Sequence, residues 1–169
     1  MKILVTGGNG FIATNFIKIA LDYKHRVTSL DNLSYASSKD NHKIFQNNEM
    51  YKFIHEDIRD KKIYETIKNG NYDAVINFAA ETHVDRSIRD DTSFMSTNID
   101  GTHNLISTCR KLINDCLLPN EFKFIQISTD EVYGSLTEDE MPFTERSLLK
   151  PSNPYSATKA SADLLALSY

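Results

Sequence analysis

A glycine-rich turn set between a strand and a helix constrains this chain more than any other feature in it. Lys2–Thr6 is a short aliphatic run, Gly7-Gly8-Asn9-Gly10 breaks it, and residues 11–23 take up a helical period at once. Glycine lets the backbone approach a ligand closely. The helix that opens behind the turn aims its unpaired amides and the positive end of its dipole at the same spot, which suits a pyrophosphate. Arg26–Asp31 reads as the second strand and closes on a carboxylate about twenty residues after the glycines, the spacing of a group that holds the adenosine ribose hydroxyls. The same carboxylate repels a 2′-phosphate, so the expected cofactor is NAD rather than NADP. The small residues fall as Gly7-x-x-Gly10-x-x-Ala13, with Ala13 where only close helix–strand packing is required.

The rest of the chain repeats this alternation. Further strands are expected at 51–56, 72–78 and 121–128, and further helices at 61–68, at 93–112 and from Pro154 onward. Asn69-Gly70 is a turn signal that should close the short helix, and the polar stretch 33–50 reads as a loop. Strands and helices in alternation predict an α/β domain over residues 1–169, a doubly wound parallel sheet of Rossmann type with right-handed crossovers. Apolar residues at 40% supply a core for one such domain without disulfides. Nineteen Lys and Arg against 23 Asp and Glu leave a net charge of −4 and no basic stripe, so nucleic acid is not an expected partner. No apolar run nears the ~18 residues of a membrane helix, so no membrane association is expected, and a strand starting at Lys2 leaves no room for a signal peptide. Cys109 and Cys116 lie about two helical turns apart, so both are expected to pack inward as free thiols, in a reducing cytoplasmic compartment.

Two clusters carry reactive chemistry. In Tyr155-Ser156-Ala157-Thr158-Lys159 the phenol and the ammonium stand one turn apart on the last helix and so reach one site. A free phenol is a poor base at neutral pH, and an ammonium beside it favours the phenolate. The stretch Ile127-Ser128-Thr129-Asp130-Glu131-Val132-Tyr133-Gly134 puts two adjacent acids at the C-terminal end of a strand, where open α/β sheets bind ligands. Adjacent acids repel, which pushes their proton affinities apart and lets one serve as acid and the other as base.

Together with the glycine spacing, these motifs resemble the extended short-chain dehydrogenase/reductase family, and within it the nucleoside-diphosphate-glucose 4,6-dehydratases, in which two acids follow Ser-Thr. Further matches are Phe78-Ala79-Ala80-Glu81-Thr82-His83-Val84-Asp85-Arg86-Ser87, Thr97-Asn98 with Gly101-Thr102, and Asn153-Pro154-Tyr155-Ser156, so the resemblance runs through essentially the whole chain. It implies a lyase with a nucleotide-sugar substrate and tightly bound NAD, acting early in the synthesis of deoxysugars such as rhamnose. Tyr155 would take the 4-hydroxyl proton as C4 gives hydride to NAD. Glu131 would then remove the C5 proton, and Asp130 would protonate the departing 6-hydroxyl before the hydride returns to C6. Thr129 would bond the 4-oxygen, and Lys159 the nicotinamide ribose.

The resemblance also places the cofactor. Gly7, Gly10, Phe11 and Ile12 would lie under the pyrophosphate, and Asp31, Asn32, Leu33 and Ser34 at the adenosine ribose. Asp57 and Ile58 would sit by the adenine, with Phe78, Ala79, Ala80, Thr82 and Thr97 on the nicotinamide side and Thr82 also facing the sugar. A homodimer through the long helix and the Tyr-Lys helix is implied as well, for which Leu105, Ile106, Leu112, Ile113, Leu164, Leu165 and Leu167 offer apolar spacing.

Members of the family are longer, and their second half carries most of the nucleotide-sugar pocket. This chain stops inside a helical pattern at Tyr169, so the C-terminal substrate domain is expected to be absent from it and catalysis by these residues alone to be weak. Gly10-Phe11-Ile12-Ala13 looks like the enzymes that act on UDP-glucose, and Thr82-His83-Val84-Asp85-Arg86-Ser87 like those that act on dTDP-glucose, which leaves the nucleotide open. A 4-epimerase of the same family would leave Asp130 and Glu131 without a role. A non-catalytic NAD-sensing domain would have no use for the four reactive side chains. Glu81, His83 and Asp85 alternate like metal ligands on a strand but fall in a loop, so no metal is expected.

Overall fold

In β1 (Lys2–Thr6), Ile3 and Val5 point to one face and Leu4 to the other, and all three are buried. Burial on both faces belongs to an inner strand of a parallel sheet. The computed structural model, which describes residues 1–169, gives that arrangement. After β1 come α1 (Phe11–Asp22), β2 (Arg26–Asp31), a 3₁₀ turn at Asn41–Phe45, β3 (Tyr51–His55), α2 (Ile63–Gly70) and β4 (Ala74–Asn77). They are followed by α3 (Val84–Arg89), α4 (Thr92–Phe94), a π-helical stretch at Met95–Gly101, α5 (Thr102–Asn114), β5 (Lys123–Gln126), a 3₁₀ turn at Asp130–Tyr133 and α6 (Pro154–Ser168). All strand pairs are parallel, in the order β3-β2-β1-β4-β5. The winding reverses between β1 and β4, and in such sheets the crevice at that reversal receives the ligand.

Each face of the sheet carries its own core. Ile3, Val5, Val27 and Ile76 pack with Ala13, Ile17, Ala20 and Leu21 of α1. On the opposite face Leu4, Leu30 and Val75 meet Ile63 and Ile67 of α2 and Leu105, Cys109 and Leu112 of α5. The apolar residues of one strand thus feed two layers, which makes the sheet doubly wound. Helix α6 lies against the π-helical stretch, α3 and α5. No helix is long and apolar enough to cross a membrane.

Three local expectations are corrected. Helix α2 runs through Gly70, and the left-handed turn falls on Asn71 (φ 47°), because Asn tolerates that conformation and ends the helix one residue later. The segment 93–112 is not a uniform helix, since Met95–Gly101 is π-helical and shifts the side chains around the axis. Of the two thiols only Cys109 is buried. Helix α5 ends at Asn114, Cys116 takes φ 56°, and the change of phase turns its side chain to solvent.

Candidate active site

The glycine turn is fixed by contact as well as by conformation. Gly7 has φ +67°, and a Cβ there would lie 2.7 Å from the Ala79 amide nitrogen, so β1 and β4 can meet at the reversal only with glycine in place. Gly10 is the N-cap of α1, and neither a side-chain cap nor an acid occupies its first turn. Phe11 and Ile12, the first two helical residues, are 83% and 65% exposed, an uncovered apolar lip in front of an uncapped helix end.

Below the turn opens a cleft of about 290 Å³. It is lined by Gly7, Gly10, Phe11 and Ile12, by Asp31, Asn32 and Ser34 after β2, and by Asp57 and Ile58 after β3. Phe78, Ala79, Ala80 and Thr82 line it after β4, with Thr97, Tyr155 and Lys159 from the helices beyond. Leu33 does not line it. With φ 55°, Leu33 points its amide back to Asp31 Oδ1 (2.7 Å), and its side chain is not in the cleft.

At the end of the cleft below β2 and β3 the carboxylates are partnered within the chain. Asp31 is buried and also accepts from the Asn9 amide (2.9 Å), which ties the glycine turn to the end of β2. Asn9 and Asn41 in turn stitch the polar loop to that turn, through Ser38 O, Asn9 O and Thr14 Oγ1. Asp57 accepts from Asn32 Nδ2 (2.8 Å) and from the backbone and guanidinium of Arg59. Burial works to raise the Asp57 carboxyl, but the Arg59 and Asn32 bonds outweigh it and hold the group at about 2.

The opposite end, at Tyr155 and Lys159, is assembled from more distant pieces. Asn98, in the π-helical stretch, accepts from Glu81 N (2.8 Å) and donates to Glu81 O and Thr158 Oγ1, joining the loop after β4 to α6. Tyr155 is buried, with its amide on Ser87 Oγ (3.1 Å) and its ring edge-on to Phe94. Asn153 caps α6 and also donates to Glu131 Oε2 (3.2 Å), which fixes that acid relative to the first turn of the helix. Thr129, Asp130 and Glu131 lie just outside the cleft lining, on the turn after β5, with Thr129 Oγ1 accepting from Glu131 N (3.3 Å).

Protonation at this end is set mainly by burial. Burial raises the Tyr155 phenol, the Thr129 hydroxyl eases it down, and Glu131, Asp130 and Asp163 push it up again. The expected lowering by a neighbouring ammonium is not what this structure gives. Lys159 is only 4% exposed, gives its Nζ to the Ile127 carbonyl, and is itself drawn toward neutrality by burial, with Asp163 opposing. No group of three or more His, Cys, Asp or Glu side chains is placed to hold a metal ion, and Glu81 accepts from Tyr35 OH (2.7 Å) instead.

Residues 4–169 match the family described as GDP-mannose 4,6 dehydratase. The chain belongs to that family. Over 170 residues it is 45% identical to the low-salt glycan biosynthesis protein Agl12 of Haloferax volcanii, a match that takes in 100% of this chain and 52% of the relative. Among solved structures, DesIV of Streptomyces venezuelae, a dTDP-glucose 4,6-dehydratase with NAD and TYD bound, superposes with a TM-score of 0.87 at 37% identity, over 100% of this chain and 51% of that one. A UDP-Glc/GlcNAc 4-epimerase of Campylobacter jejuni follows the same path at a TM-score of 0.84 and 31% identity, over 97% of this chain and 47% of its own. The chain spans about half the length of the relatives it matches.

Several residues of this 4,6-dehydratase family member that build the site escaped sequence reasoning as site residues. Asn98, Asn153, Ser128 and Asp163 act through bonds across 17 to 60 positions of sequence, which no local pattern reveals. Tyr35 joins the two loops that flank the cleft, with the Arg86 guanidinium 3.6 Å above its ring. Burial, aided by Glu81, pushes its phenol up to about 12.

Proposed function

We propose that the full native chain is an NAD-dependent nucleotide-sugar 4,6-dehydratase, a hydro-lyase that converts dTDP-glucose or UDP-glucose to the 4-keto-6-deoxy sugar. The observation that carries this reading is the acid pair of the turn Thr129-Asp130-Glu131 at the exit of β5, with Glu131 bonded by Asn153, the cap of the helix that bears Tyr155. A 4-epimerase needs the phenol but not the acid pair.

The cleft suits NAD on its own terms. Its turn excludes a Cβ at Gly7, its helix end is uncapped, and Phe11 and Ile12 wait uncovered beside it. Asp31, Asn32 and Ser34 would hold the adenosine ribose, Asp57 and Ile58 the adenine, and Phe78 to Thr82 with Thr97 the nicotinamide side. When bound, NAD supplies a reversible hydride acceptor. As its phenolate, the form that the Thr129 hydroxyl favours against burial, Tyr155 would take the proton of the sugar 4-hydroxyl while the C4 hydride passes to the bound NAD. The resulting C4 ketone makes the C5 proton acidic, and Glu131, held by Asn153, removes it. Asp130, on the exposed side of the turn, protonates the 6-hydroxyl so that it leaves as water, and return of the hydride to C6 with the proton of Glu131 to C5 would complete the 4-keto-6-deoxy sugar. Lys159 fixes the floor through Ile127 O and presents its remaining donors to the cleft.

In this reading the protein works in the cytoplasm on nucleotide sugars and supplies deoxysugar synthesis. It pairs with a second copy through α5 and α6. Ile113, Leu164 and Leu167 are exposed and support that pairing, whereas Leu105, Ile106 and Leu112 are spent on the core. The test is to incubate the full native chain separately with UDP-glucose and dTDP-glucose and read the products by mass spectrometry. A product one water lighter, abolished in Glu131→Gln with NAD content unchanged, is the expected result. Conversion to the galactose isomer at unchanged mass would make the protein an epimerase, and bound NAD with no turnover would make it a sensor.

A further inference from the structure

We propose that Asp163 is a positioning residue for Lys159 and Tyr155, tying helix α6 to the exit of β5 through Ser128. The inference rests on the function proposed above, because it concerns the side chains that move the substrate proton there.

Tyr155, Lys159 and Asp163 follow one another at one-turn spacing, so all three stand on the same face of α6. Ser128 Oγ donates to the Asp163 carboxylate, the one hydrogen bond that carboxylate makes. Lys159 Nζ donates to the carbonyl of Ile127, the residue before Ser128. Two consecutive residues at the exit of β5 are therefore gripped by two consecutive turns of α6. The next residue in the chain is Thr129, whose hydroxyl lies beside the Tyr155 phenol. Cutting the Ser128–Asp163 bond frees the strand exit to slide along the helix, and the Thr129–Tyr155 alignment goes with it.

The same carboxylate sets charge. Lys159 is buried, and Asp163 is the acid that opposes its loss of a proton. Lys159 and the Ser128 bond in turn counter the effect of burial on Asp163. From the turn after β5, Asp130 and Glu131 face Tyr155 alongside Asp163, so removing one acid leaves two in place.

The experiment uses the full native chain loaded with NAD, as the parent and as Asp163→Ala, Asp163→Asn and Ser128→Ala. Turnover of the nucleotide sugar is measured together with the side-chain titration of Lys159 by NMR. In Asp163→Ala and Ser128→Ala, kcat falls on the order of tenfold to a hundredfold from misalignment, while KM and NAD content stay at the parent's values. Asp163→Asn keeps the shape and an acceptor for Ser128, and in it Lys159 titrates at lower pH than in the parent. Parental kcat in Asp163→Ala, or a Lys159 titration unmoved in Asp163→Asn, would overturn the proposal. A parent that turns over neither nucleotide sugar would defeat the functional reading, and the Lys159 titration then decides the role of Asp163 by itself.

Discussion

At the end of the cleft proposed for adenosine, Asp31 accepts from two backbone amides and Asp57 from Arg59 and Asn32, whereas at the end proposed to react Tyr155, Lys159 and Asp163 are each pushed by burial toward the neutral form. The first end is a finished framework. Its charges are satisfied before any ligand arrives, and its partners come mostly from the turn, the strand ends and the loop next to them. The second end is drawn from β4, the π-helical stretch, the turn after β5 and α6, and its groups sit away from their ordinary protonation. Burial holds the Tyr155 phenol above its ordinary value and the Lys159 ammonium below its own, whereas Asp57 is held charged by its partners, as in a cradle. One cleft therefore holds a hydrogen-bonded half and a half governed by burial.

Separating the two halves by mutation is the largest expected effect. Tyr155→Phe removes the phenolic proton carrier yet leaves the cradle intact, so kcat falls by about 10²–10⁴-fold with NAD content unchanged. Loss of NAD from that variant would mean that the halves are not separable. The converse break is Gly7→Ala, which forces a side chain to φ +67° and against the Ala79 backbone. It destabilises the protein by about 1–3 kcal/mol from backbone strain alone and empties the cofactor site, as read by denaturant melts and bound NAD.

The smallest effect belongs to the framework's charge. Folding depresses the Asp57 carboxyl to about 2, below its ordinary unfolded value near ~3.9, so its contribution is complete above about pH 4 and disappears as pH falls toward 2. Asp57→Asn is therefore less stable than the parent at neutral pH, and the two melting curves converge between about pH 4 and pH 2. A constant gap across that range would show that the Arg59 pairing contributes nothing in the folded state.

The contrast also governs what the sequence could disclose. The cradle was legible because its chemistry is contiguous: Gly7 to Ala13 followed by Asp31 declares a strand, a turn, a helix and an acid in register. The alternation of strands and helices gave the doubly wound sheet in the same way. At the reacting end Tyr155, Lys159 and the acid pair stood out as residues, but their setting did not. Spacing on a helix suggested an ammonium that lowers the phenol. Packing instead buries both, gives Lys159 to a backbone carbonyl, and leaves burial in command. The π-helical stretch escaped for a related reason, since an extra residue per turn hides inside a helical period while it brings Thr97 to the cleft and Asn98 to Glu81 and Thr158. Leu33 lies outside the cleft lining because its left-handed backbone turns its amide to Asp31, which no residue pattern announces.

The claim that both halves act on one sugar is tested most directly with nucleotide-glucose carrying deuterium at C4, turned over by the full native chain and read by NMR. A product one water lighter with the deuterium moved to the C6 methyl group is expected, because a hydride given up beside Tyr155 would return to C6 once Glu131 and Asp130 had expelled water. Deuterium found back on C4 of a sugar of unchanged composition would contradict it.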